Sequence, residues 1–178
     1  EDKIHERGQQ YKDLKFKDSP YFLNGFDVFI YDDHAAGIWL PEKFYPLIFI
    51  TGSIEDRNFK SARNFARSLQ AAFVMMITDS PGTVRGPLPD GNLLPNEALV
   101  FVEGNDAKDI ALDIIHDTFT ASAGRLLVCM DLSDIIYVLG GSRCLGFSKE
   151  GSAGDVLNLI KDNSLKIKNG KGIVFILS

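Results

Sequence analysis

The sequence predicts an α/β fold, with a mainly parallel sheet flanked by helices. Two observations carry that expectation. Three continuous apolar runs, LIFIT at 47–51, AFVMMIT at 72–78 and ALVFVE at 98–103, have strand length and lack the polar alternation of a half-exposed strand. Stretches with helical spacing lie between the first two runs and directly after the third. Parallel neighbours need a crossover, and an amphipathic helix joining two buried strands is the βαβ unit that supplies one.

Length and composition bound the rest. At 178 residues the chain can hold one domain, or one domain and part of another. Its net charge of −5 gives no support to nucleic-acid or membrane binding. No apolar run approaches a membrane span and no signal peptide is visible. The chain starts at Glu1 rather than Met, so an upstream segment is a possibility. Cys129 and Cys144 have no metal-ligand spacing and need not pair, which fits a reduced, cytoplasmic setting.

In chain order, residues 1–20 alternate charge without an apolar stripe and read as a mobile N-terminal arm. FDVFIY at 26–31 is rich in aromatic and β-branched residues and reads as a strand that opens the α/β core, 21–139. Asp32-Asp33-His34 follows it. With no second histidine nearby, the trio reads as a polar turn and not a metal site. Trp39, Phe44 and Tyr45 sit in a connection punctuated by Pro41 and Pro46 and read as core plugs.

LIFIT is the next strand. From Ile54 to Gln70 an amphipathic helix is expected, with Phe59, Ala62, Phe65, Ala66 and Leu69 inward and Arg57, Lys60, Arg63 and Arg67 largely outward. Its start can be read as Ser53 capping with Asp56 as the acid three residues on. After AFVMMIT, residues 79–97 carry four prolines and three glycines and form the one long irregular connection. It is a surface link, a cover for a site or a subunit contact.

Residues 107–135 organise the chain. Ile110, Ile114 and Phe119, widened by Leu112 and Ile115, mark one amphipathic helix, which Gly124 closes. Leu126, Leu127 and Val128 bury the link to a second helix. Asp131 or Ser133 can cap that helix, and Asp131 and Asp134, three apart, share one face. Such a pair is either a capping arrangement or a place to polarise water.

This stretch resembles the central helix and acidic loop of the tubulin/FtsZ family. Ala107-Lys108-Asp109-Ile110 stands where that family has A-N-D-V, and Cys129-Met130-Asp131-Leu132-Ser133-Asp134-Ile135 where it has N-x-D-F-A-D-V, without a gap between the two. Strand order extends the resemblance over about 47–178. It implies a Rossmann-like FtsZ/tubulin-like core and, at 140–178, a truncated portion of the family's second domain. That portion holds a helix built on Val156, Leu157, Leu159 and Ile160 and a terminal strand, KGIVFILS. Too few to stand alone, these elements add to the main sheet or complete themselves against a partner.

The resemblance also implies roles. Asp131 and Asp134 would be the catalytic acids of a GTPase, reaching a neighbouring subunit's nucleotide. Gly52 and Ser53 open the segment where the family has G-G-G-T-G-[ST]-G around the phosphates, and Asp109 matches a guanine-contacting acid. The phosphate segment departs from the pattern. It reads Gly52-Ser53-Ile54-Glu55-Asp56-Arg57-Asn58, with one glycine left and two acids where a phosphate needs donors. Each repulsion at about 4 Å costs on the order of 1–4 kcal/mol. No other phosphate loop is present.

The expectation is therefore a divergent FtsZ/tubulin-like protein that associates with itself or with an FtsZ/tubulin-like partner, in a cytoskeletal or assembly role, without GTP hydrolysis and without a cofactor or metal. One alternative is an active GTPase that binds GTP once a missing N-terminal segment or a partner chain completes its site. Another is an α/β module for a small molecule.

Overall fold

Three apolar runs and a fourth, more polar strand pair into one parallel sheet in the order β1-β2-β3-β4. They are β1 (Leu47–Thr51), β2 (Phe73–Thr78), β3 (Glu97–Val102) and β4 (Ser142–Gly146). Helix α1 (Arg57–Ser68) joins β1 to β2, α2 (Ala107–Ala123) and α3 (Leu132–Leu139) lie between β3 and β4, and α4 (Ala153–Asp162) follows. The computed structural model describes residues 46–79, 91–103, 106–123, 131–148 and 151–163, all within one unit, Glu42–Ser178. Several expected features lie outside the described residues. These are the 1–20 arm, the strand at 26–31, the Asp32-Asp33-His34 turn, the aromatic plugs, most of the 79–97 connection, Gly124 with the link after it, and KGIVFILS.

The α/β fold expected from the apolar runs is present, and its burial follows from their composition. Every residue of β2 and β3 is buried, as continuous apolar runs require when both faces of a parallel sheet are covered. On one face Ile48, Ile50, Val74, Met76, Leu99, Phe101 and Leu145 meet Ile54, Phe59, Ala62 and Ala66, carried by α1 and the turn before it. Fully burying a side chain such as Phe101 or Met76 contributes about 1.5–3 kcal/mol. On the other face lie Val100 and Val102, alternate residues of β3. There α2 brings Ile114 against β4 so closely that a Cβ at Gly146 would stand 2.6 Å from Ile114 Cδ1 and 2.6 Å from Val100 Cγ1. Glycine is what lets the helix approach.

Two expectations shift, and one of two alternatives is taken. Helix α1 starts at Arg57 and not at Ile54, because residues 53–56 form a turn in which the Asp56 amide donates to the Ser53 carbonyl (3.0 Å). The buried stripe of α2 is Ala107, Ala111, Ile115 and Thr118, while Ile110, Ile114 and Phe119 flank it half-buried. Small residues at the centre of a helix face let its axis come near the sheet, and the larger ones fill the margins. Ser142–Gly146 adds to the main sheet, with Val102 facing Gly146 and Val100 facing Cys144.

Candidate functional site

In open α/β sheets ligands gather beyond the carboxyl ends of the strands, where the strand order reverses and helix N-termini point. Among the described strands the order follows the sequence and never reverses. The carboxyl edge that remains is acidic. Glu55, Asp56, Asp79, Glu103, Asp106 and Asp109 are all exposed along the connections that leave β1, β2 and β3. Among the described residues no three His, Cys, Asp or Glu come together in a way that could hold a metal ion.

The β1–α1 turn contains Gly52 and Ser53. A phosphate loop works by presenting backbone N–H groups, and here those groups have acceptors within the chain. Gly52 N–H continues the ladder onto the Ile77 carbonyl (3.1 Å), and Ile54 N–H is buried against Thr78 Oγ1 (3.1 Å). Glu55 N–H reaches Ser53 Oγ (3.4 Å), and Asp56 N–H the Ser53 carbonyl (3.0 Å). The N-cap is Asp56, whose Oδ1 accepts from Asn58 N–H at 2.8 Å. Ser53 therefore does not cap α1. It closes the turn that precedes the cap.

Asp131 and Asp134 are brought together at the head of α3 as a reciprocal capping box. Asp131 Oδ1 accepts from Ser133 N–H (2.8 Å), Asp134 N–H (3.1 Å) and the Ser133 hydroxyl, and Asp134 Oδ2 accepts from Asp131 N–H (3.1 Å). The Ser133 hydroxyl, helped by the Asp134 and Ser133 amides, holds the Asp131 carboxyl below the usual range. A related arrangement recurs at the head of α4, where Asp155 Oδ2 accepts from the Ser152 amide (2.7 Å) and hydroxyl (2.8 Å). Asp131 and Asp134 are both exposed. Asp109 is exposed in the first turn of α2, where an acid offsets the helix dipole. Helix α3 packs on β3 and β4, whereas Gly52 follows β1 at the far side of the described sheet. Three strand spacings of about 4.8 Å separate those sides.

The most elaborate polar cluster among the described residues is not one the sequence made legible. Glu97, the first residue of β3, is fully buried and is held by two arginines one helical turn apart on α1. Arg63 donates to Oε2 at 2.7 Å and to Oε1 at 3.3 Å, and Arg67 to Oε1 at 2.6 Å and to Oε2 at 3.0 Å. Leu94 N–H adds a bond to Oε2 at 2.9 Å, and Arg63 also reaches the Asn92 carbonyl at 3.0 Å. Burial pushes the Glu97 carboxyl up, but hydrogen bonds from Arg67, Arg63 and the Leu94 amide, with the charge of Arg63, outweigh it and lower its pKa to about 2. Arg63, expected to face outward, is thus buried. The available signal was the pair of arginines four apart with one acid at a strand head. The cluster sits at the amino edge of the sheet, away from the carboxyl edge. Cys144 on β4 is free, and burial pushes its thiol up to about 11.

Comparison with protein-family models, curated proteins and solved structures finds no match to this chain.

Proposed function

We propose that this chain acts through protein–protein contacts, with itself or with an FtsZ/tubulin-like protein, as an assembly element of the cell interior that does not hydrolyse GTP. The observation that carries the reading is the β1–α1 turn, where the amides of Gly52, Ile54, Glu55, Asp56 and Asn58 all have acceptors inside the chain. A phosphate placed there would have to displace those bonds, and it would meet Glu55 and Asp56. The order of β1, α1, β2, β3, α2 and the acidic head of α3 agrees with the FtsZ-like resemblance. Among the described residues no helix is long and apolar enough to cross a membrane.

A GTPase completed by a second chain is the competing reading, and the exposure of Asp131 and Asp134 favours it. Calorimetric titration with GTP and GDP near millimolar concentration, with and without Mg²⁺, separates the two. No saturable heat is expected. Guanine-specific saturation, together with GTP turnover that drops in Asp131→Ala and Asp134→Ala, would overturn the proposal.

A further inference from the structure

Strands β2 and β3 pair along runs whose burial discriminates poorly between alignments. All of their residues are buried, so burial on one face does not pin them. A two-residue slip of a parallel strand restores the ladder and returns each side chain to its own face. Glu97 is the one charged residue in β1, β2 and β3. Its partners ride on α1, which is seated on β1 and β2 through Phe59, Ala66 and the Ile54–Thr78 bond. A two-residue slip would carry the carboxylate about 6.6 Å along the strand, away from the point where both guanidiniums now grip it with two bonds each. Breaking that fourfold geometry around a buried carboxylate and the buried Arg63 is costly.

We propose that the Arg63–Glu97–Arg67 cluster is a register pin, selecting one alignment of β3 against β2 and α1 while adding no net stability over apolar side chains of similar volume. Ion pairs of this kind can often be replaced by apolar groups of similar volume at no loss of stability, which leaves alignment as what they determine. Asn96, which donates from Nδ2 to the Ala71 carbonyl at 3.1 Å, holds the approach to β3 at the same end.

The test is a triple variant, Arg63→Met with Arg67→Met and Glu97→Met, studied by NMR in the full chain. In the native register Ile77 faces Val100. The variant should stay folded with an unlowered thermal midpoint. Its β2 and β3 amide signals should double, with cross-strand contacts from Ile77 to Ala98 or Val102. A single set of signals with the Ile77–Val100 contact overturns the proposal. So does a variant that does not fold, because the cluster would then be a stability element. In a second variant, Glu97→Ala with Leu99→Glu, the acid moves two residues along the same face. The strand should follow it and place Val102 opposite Ile77. Retention of the Ile77–Val100 pair, or loss of the fold, counts against the pin.

Discussion

Glu97 shows how a single carboxylate can dominate the pH response of a small sheet. Its pKa is about 2 in the folded chain against 4.5 for the free group. A folded value below the unfolded one means that its contribution is complete above the unfolded pKa and is lost as the pH falls toward the folded one. The window is thus roughly pH 5 to 2, and the contribution is on the order of 3 kcal/mol. Urea denaturation across that range should show stability falling with acid in the parent chain, with a shallower fall in Glu97→Gln. Glu97→Ala, which strands two arginines, should cost about 3–5 kcal/mol at neutral pH. That the cluster went unread follows from the helical wheel, which assigns arginine to water unless a buried acid is known to face it. At Gln70 the opposite adjustment is available. Its φ of 54° is left-handed, where a side chain strains the backbone and glycine does not. Gln70→Gly should raise stability by about 0.5–1 kcal/mol in the same assay.

Secondary structure was legible where one physical requirement ruled and blurred where two competed. LIFIT spans the observed β1 because Pro46 precedes it and Gly52 follows it. The head of α3 was legible because Asp131 and Asp134 have the spacing of a capping box. The α1 start was not, because Ser53 and Asp56 are both good caps and only the Ile54–Thr78 bond, formed across the sheet, decides for Asp56. The α2 stripe went astray for a related reason. Bulk identifies Ile110, Ile114 and Phe119, but the seat against the sheet belongs to Ala107 and Ala111. At its other end α3 is fixed by a close approach. A Cβ at Gly140 would lie 2.2 Å from the Pro95 carbonyl oxygen and 2.6 Å from that of Ile136. Both atoms are backbone and cannot swing away, so Gly140→Ala should cost about 1–3 kcal/mol. Amide exchange should quicken across α3 and the start of β3, where the Gly141 amide bonds the Glu97 carbonyl at 2.7 Å. Unchanged exchange would mean that α3 and the connection from β2 are not coupled there.

At the scale of the whole molecule, the question is whether the sheet answers to nucleotide. A ligand that binds only the folded chain stabilises it in proportion to the logarithm of its excess over Kd. At a hundredfold excess the gain is about 2.7 kcal/mol, several degrees in Tm for a domain of this size. The effect requires only that binding favour the folded state, wherever the nucleotide sits, so it tests the entire chain and not one loop. The described carboxyl edge has its β1–α1 amides engaged and carries acids from Glu55 to Asp109. Millimolar GTP with Mg²⁺ is therefore expected to leave the midpoint where it stands, in the parent and in Asp131→Ala alike. A rise with GTP and GDP but not ATP would establish guanine binding. If that rise persisted in Asp131→Ala while turnover vanished, the acidic head of α3 would be catalytic as well as a cap. A flat response, joined to sedimentation that changes with protein concentration and not with nucleotide, is the outcome expected of an assembly element whose contacts are protein alone.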